Sequence, residues 1–305
     1  MKKKNPSMNS SASDHHHYKK HAPTSTRYLR VLGYPYVIWM VIFIIVPLLL
    51  VLIYSFTKGD IHNLFSLEFS ADGYLRVLEP MYLKVIMNSF WLALISTFFC
   101  LILGYPVAMI IANTNPKYRS ILLTFLLVPM WMNFLLRTYA WMSILSPNGI
   151  LNRFLEWIGL PRLEIMPGQT AVLLGMIYNF LPFMILPIYT VLSKIDKNLL
   201  EASSDLGGNK FVTFIKVIFP LSIPGVVSGI TMVFMPAVST FVISGLLGGD
   251  KTPLIGDLIE QQFMTNRNWH FGSSLSIILM VMILISMAIM SRIERNNDRE
   301  EGRTS

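Results

Sequence analysis

The sequence predicts an all-α integral membrane protein with six transmembrane helices, and three observations predict it. Only 14% of its 305 residues are charged against 53% hydrophobic, with a mean hydropathy of +0.53; a soluble domain carries about 25% charged residues. The charges cluster and leave gaps without Lys, Arg, Asp or Glu at 31–57, 85–116, 120–136, 165–193, 217–249 and 268–291. The apolar runs do not alternate. "VIWMVIFIIVPLLLVLIY" (37–54) is apolar all round, as suits a lipid-facing or bundle helix and not a barrel strand.

Each element follows in order. Residues 1–30 form a basic tail rich in Lys, Ser, Asn and His without apolar periodicity, the composition of a disordered segment. Its "DHHHYKKH" lacks other ligands and a fold to hold them, so no metal is expected there; a solvated basic tail beside anionic lipid is. No cleavable signal peptide is expected, because the first apolar run is too long for one. A hydrocarbon-crossing helix needs about 20 residues, which places spans at Tyr34–Phe56, Asn88–Ile111, Ser120–Leu145, Gln169–Leu192, Ser222–Leu247 and Gly272–Ser291. The membrane domain thus covers 31–293, and 294–305 is a C-terminal tail. The third span runs past Arg137, which a straight helix puts about 26 Å along the rod, near the outer surface. Cys100 stands alone mid-span, a buried small hydrophobe.

Orientation follows from Lys and Arg. One side carries 17 of them, seven in the N-terminal tail, and the other carries seven. The richer side is cytoplasmic, which places both termini inside. Topology therefore explains the net charge of +8, and no nucleic-acid partner is implied. The loop 248–271 is outside, where the amphipathic "LIGDLIEQQF" is expected to lie flat and meet a solute-binding protein.

The segment 193–220 interrupts the apolar pattern. Asp196 caps a helix whose apolar positions are Ile195, Leu199, Ala202 and Leu206. Gly207 stands where a left-handed residue ends a helix. Asn209 caps a second helix with Phe211, Phe214, Ile215, Ile218 and Phe219 on one face, and Pro220 interrupts its backbone bonding. The apolar face is expected to rest on the protein's own bundle, with Glu201, Asp205, Asn209 and Lys210 toward the cytoplasm. Two readings follow: an interfacial connection between spans, or a docking element for a cytoplasmic partner.

This segment resembles the signature of bacterial ABC-importer permeases. Glu201 and Ala202 match its opening, Ser203 replaces a third small residue, Gly207 matches its glycine, and Val217, Phe219 and Pro220 close it. "LGYPVA" (103–108), "VPMWMNFLLRTYAW" (128–141), "GQTAVLLGMIYNFLPFMILPIY" (168–189) and "LIGDLIEQQF" (254–263) extend the likeness, from about residue 34 onward, to the B-type permeases of spermidine/putrescine importers. The resemblance implies a type I importer (MetI-like) fold in the bacterial plasma membrane. It implies Glu201, Ala202, Ser203, Asp205, Gly207 and Pro220 as ATPase-coupling residues, with Glu201 in a charged contact. It also implies two cytoplasmic ATP-binding subunits, a second homologous permease subunit and an extracytoplasmic polyamine-binding protein. Another small solute on the same scaffold is the alternative.

No acid lies within the predicted spans. A polycation path would then take its acids from the second subunit, or its contacts from aromatic rings, with Trp91, Trp131, Tyr139, Trp141 and Tyr178 as candidates; bundle packing and interface belts are the other reading of each. The absence of intramembrane ionisable pairs argues against an ion-coupled transporter. No nucleophile elbow, zinc motif or P-loop occurs, so the chain is expected to be no enzyme and to need no cofactor, with ATP hydrolysis on a separate subunit.

Overall fold

The computed structural model describes residues 34–59 and 68–304, with side chains to Arg292. The His-containing tail lies outside the described residues. The chain divides into two units, residues 1–49 and 50–305, and the division falls inside helix α1 (Tyr34–Ser55). The described part of the first unit is apolar helix. It carries a π turn at Val41–Ile45 just ahead of Pro47, and its Trp39 and Phe43 rings lie 5.3 Å apart.

In the second unit, a short antiparallel pair, β1 (Thr57–Lys58) and β2 (Glu68–Phe69), precedes α2 (Asp72–Val77). Helix α3 (Pro80–Asn113) opens with proline in its first turn, where the missing N–H costs nothing. Helices α4 (Pro116–Trp131), α5 (Phe134–Leu145) and α6 (Ile150–Trp157) follow. Then come α7 (Gln169–Leu192), the short α8 (Lys197–Asp205) and the 30-residue α9 (Lys210–Ser239). The chain closes with α10 (Ile255–Glu260) and α11 (Trp269–Thr304).

The core forms where α3, α7 and α9 meet. Helix α3 buries Leu92, Ser96, Cys100, Gly104 and Ala108, and α7 buries Val172, Met176, Phe180, Met184 and Ile188. Every fourth residue on each helix is a ridge that seats in the other's groove. With lipid as solvent, association depends on close packing rather than on expelling water, so small residues sit at the crossings. At Gly229 of α9 an added Cβ would lie 2.8 Å from Met184 Sδ and 3.2 Å from the Met184 carbonyl.

Apart from that short strand pair the fold is helical, and among the described residues five helices are long and apolar enough to span a membrane, or six when a bent pair is counted as one. The spans predicted from the first, second, fourth and sixth charge-free gaps are present as helices. The third differs. It is broken into Pro116–Trp131 and Phe134–Trp157, bent by 91°. Asn133 accepts from the N–H groups of Leu135 and Leu136 and restarts the helix, after Pro129 has weakened the turn before it. The straight-rod position of Arg137 therefore does not hold; its guanidinium stands over the Phe134 ring, 5.9 Å from the centroid.

The fifth span also differs. Helix α9 passes through Pro220 without stopping, because the turn Phe214–Ile218 widens to π geometry and the Phe219 N–H reaches back to the Phe214 carbonyl. It ends early, at Ser239, where Thr240 is extended (φ −65°, ψ 141°). The loop 248–271 does not lie flat. Leu254, Ile255 and Leu258 are buried, and Ile255 N–H donates to the buried Ser89 hydroxyl of α3 at 2.8 Å.

The crowding at Gly229 gives a test. Gly229→Val should lower the unfolding temperature of the detergent-purified chain by the cost of overpacking, about 1–3 kcal/mol. Gly159→Ala, where no atom lies within 4 Å of the added Cβ, should cost only the strain of its positive φ of +81°. Equal unfolding temperatures for Gly229→Val and the parent would contradict the crossing described here.

Candidate functional site

The segment between α7 and α9 is built from the backbone upward. Asp196 caps α8 by accepting from Asn198 N–H at 3.0 Å, and Asn209 caps α9 by accepting from Val212 N–H at 2.9 Å. Between the caps α8 ends in a Schellman motif. Gly207 N–H donates to the Ser204 carbonyl (3.0 Å) and Gly208 N–H to the Ser203 carbonyl (2.9 Å). Gly207 has φ +78°, the left-handed region that disfavours a Cβ, with open space around it. At Gly208 a Cβ would lie 2.6 Å from the Ser203 carbonyl.

The turn is fixed to the bundle from below. The Ser203 hydroxyl bonds Thr213 Oγ1 at 2.9 Å, across the two caps. Farther along α9, the Ser222 hydroxyl meets Tyr105 OH of α3 at 2.8 Å, and the Tyr105 ring meets Phe214 and Phe219 at 5.8 and 6.1 Å. Above this anchor the turn is bare. Helix α8 buries no side chain. Leu206 is 89% exposed and Phe211 70%, and Leu199, Ala202 and Ile215 are exposed with them. The expectation that this apolar face rests on the protein's own bundle holds only for Ile195, Phe214 and Ile218, which pack against the core; Leu199, Ala202, Leu206, Phe211 and Ile215 stay exposed, because periodicity identifies an apolar face but not what covers it.

Glu201, Asp205 and Pro220 are exposed, and Ser203 is half-buried. Glu201, Lys197 and Arg119 line a cavity of about 370 Å³ behind α8. The Arg119 guanidinium donates to the carbonyls of Ala112 and Thr114 and so closes the end of α3. Among the described residues Glu201 has no ion-pair partner.

The five aromatic candidates are not brought to one place. Trp141 and Tyr178 meet edge to face at 5.2 Å. Trp131 (84% exposed) and Tyr139 (49%) lie on the surface. Trp91 lines a separate cavity of about 1450 Å³ with Lys84, Asn88, Gln169 and Lys251, and there Gln169 donates to Asn88 Oδ1 at 3.1 Å.

A carboxylate missing from the predicted spans stands instead at the broken end of α9. Asp257 Oδ2 accepts from Leu254 N–H at 2.7 Å, and its Oδ1 lies 3.5 Å from where a Cβ on Gly245 would be. Burial pushes its pKa up to about 6. Hydrogen bonds from Leu254 and Ser244 oppose this, and Glu260 adds to it. Sequence reading placed Asp257 on an outer loop; the available signal was an acid three residues into a helix after Leu254, the spacing of an N-terminal cap. Among the described residues no three ligating side chains converge on a metal position.

A family model described as "Binding-protein-dependent transport system inner membrane component" matches residues 104–299, more than half of the chain. The "Spermidine/putrescine transport system permease protein PotB" of Salmonella typhimurium strain SL1344 is 42% identical over 259 residues, covering 84% of this chain and 90% of that protein. Its namesake in Escherichia coli K12 is 41% identical, covering 84% and 94%. Among solved structures, a chain of a bacterial alginate ABC transporter in complex with its pentasaccharide-bound periplasmic protein superposes with a TM-score of 0.74. It is 18% identical and covers 88% of this chain and 94% of its own. A chain of the inward-facing MetNI methionine ABC transporter gives 0.56, at 18% identity, with 72% and 98% covered. These structural likenesses establish the fold.

The Asp257 environment sets a pH dependence. Its folded pKa is raised from 3.8 to about 6, so its contribution is fully present below pH 4 and is lost as pH rises through about 6. Asp257→Asn keeps an acceptor for Leu254 N–H and cannot ionise. The variant should therefore gain stability over the parent between pH 4 and 6 and hold that gain above pH 7. The gain is at most about 3 kcal/mol, less what solvent screening removes. Thermal unfolding in detergent at several pH values checks this, and a difference that stays constant with pH would contradict it.

Proposed function

The chain belongs to the binding-protein-dependent transport system inner membrane component family, and from that premise we propose that it is the membrane-spanning permease of an ATP-driven importer of spermidine and putrescine, docked to its ATPase through the turn around Gly207. The observation that carries the docking is the bare turn, with Leu206 89% and Phe211 70% exposed on a polar-capped, hydrogen-bonded support. An exposed apolar patch rimmed by polar groups marks an interaction site. Polar Glu201 and Asp205 beside Leu206 give that patch the mixed character of a protein interface rather than of a lipid-facing helix.

In this reading the Lys- and Arg-rich side, both termini and the Gly207 turn face the cytoplasm. Two ATP-binding subunits close on ATP and pull the turn with them. The turn continues into α9 without a break, so its displacement is delivered to the core packed against α7 and α3. A second, homologous permease completes the path, and an extracytoplasmic binding protein hands the polyamine to the opposite face. Gly207 leaves space for a partner's backbone to approach, and Glu201 offers a carboxylate to a basic residue on the ATPase. Ala202 keeps the helix face flat, Ser203 fastens the helix to Thr213, Asp205 extends the acidic rim, and Pro220 marks the root of the rod. Of the aromatic candidates Trp91, Trp131, Tyr139, Trp141 and Tyr178, the pair Trp141 and Tyr178, in edge-to-face contact at 5.2 Å, is the one retained for aromatic contact with the solute.

The test uses the assembled importer in vesicles. Gly207→Gln should abolish polyamine uptake while membrane insertion stays normal. Glu201→Lys should weaken assembly or uncouple ATP hydrolysis from uptake, by the roughly 2–5 kcal/mol that an unpaired interfacial charge costs. Reversing the partner charge should restore part of the loss. Native uptake by Gly207→Gln would sink the docking assignment.

A further inference from the structure

The interruption of α9 at Thr240 creates a pocket that the docking turn does not explain. Gly256 of α10 is held so tightly under the broken end that a Cβ there would lie 2.8 Å from the Ser239 carbonyl and 2.7 Å from that of Thr240. Helix α10 is therefore fixed against the α9 terminus. Asp257 and Glu260, three residues apart, lie on one side of it. Beside them is a pocket of about 460 Å³ whose lining includes Phe241, Glu260, Phe263 and Trp269. Phe263 and Trp269 meet edge to face at 5.3 Å, while Phe241 and Trp269 keep 47% and 41% of their surface open.

We propose that this pocket receives an ammonium group of the transported solute, with Glu260 as its charge partner and Phe241, Phe263 and Trp269 as walls for the adjoining methylenes. The proposal rests on the polyamine-importer reading and gives it a contact point in this chain. Three observations support it. First, among the described residues Glu260, the acid that lines the pocket, is in no ion pair. Second, the walls are almost wholly apolar and aromatic. Such a surface beside one carboxylate suits an alkylammonium, which offers a cation to ring faces and carboxylate and a hydrocarbon to the remainder. Third, the larger cavity at Trp91 is flanked by Lys84 and Lys251, whose charge has the wrong sign for a polycation. An interfacial aromatic belt accounts for rings but gives no reason for them to share a pocket with an unpaired acid.

The experiment measures labelled spermidine uptake by the complete importer in proteoliposomes, with binding protein and ATP supplied, for the parent, Glu260→Gln, Glu260→Asp and Trp269→Leu. The expected result is a rise in KM of about tenfold for Glu260→Gln and for Trp269→Leu, the loss of roughly 1.4 kcal/mol of cation contact. Glu260→Asp should stay within a few-fold of the parent, and the maximal rate should be little changed. Unchanged KM in Glu260→Gln, or a fall confined to the maximal rate, overturns the pocket as a solute contact. If Trp269→Leu does not assemble, Glu260→Gln decides alone, because that side chain is exposed. Failure of the parent importer to accept either polyamine overturns the polyamine reading and the pocket together. Normal parent uptake with unaffected variants overturns the pocket alone.

Discussion

The continuity of helix α9 is the constraint on which the account depends. A single rod of 30 residues begins at the exposed turn and ends at the break beside Asp257. Along its length it packs against α7 and α3. A helix kept in one piece transmits displacement, whereas a helix broken at Pro220 would absorb it in the hinge. The Tyr105–Ser222 hydrogen bond at 2.8 Å and the ring contacts around it fix the root of the rod to α3. Motion at the turn therefore moves α9 relative to that root or carries α3 along.

Backbone hydrogen bonding in an apolar medium shapes the remaining features. An orphan carbonyl in hydrocarbon costs several kcal/mol, so a proline within a span must be accommodated locally. The chain does this with π turns just before Pro47 and Pro220. Where the helix is interrupted, at Thr240–Phe241 and again ahead of Ile255, the backbone groups that follow are tied down. Leu254 N–H has Asp257, and Ile255 N–H has Ser89. The same arrangement that satisfies the break brings a carboxylate to it, which links the backbone chemistry of the fifth span to its charge.

Much of this was legible in the sequence, and the failures have specific physical causes. Charge-free gaps identify apolar length, so the first, second, fourth and sixth spans could be read directly. A gap cannot reveal a bend inside it, so Pro129 and Asn133 split the third without any charge to announce it. Pro220 read as a stop because a missing N–H usually is one; the π turn that accommodates it has no signature in residue spacing. Asp196, Gly207 and Asn209 are local chemistry and were read correctly as cap, turn and cap. The fate of Leu206 and Phe211 is tertiary, and amphipathic periodicity carries no information on whether a face meets its own bundle or a partner. Asp257 could be recognised as acidic from sequence, but its burial at the break of α9 depends on how loop 248–271 folds back.

Solvent protection of Leu206 tests the central claim most directly. Leu206→Cys, in a background with Cys100 replaced, provides one thiol on the exposed turn. Its rate of modification by a soluble maleimide can be followed in the isolated permease and in the complex with its ATPase. Docking through the turn predicts rapid labelling of the isolated chain and strong protection in the complex, greatest when ATP holds the two ATPases closed. Equal labelling rates with and without the ATPase would contradict it.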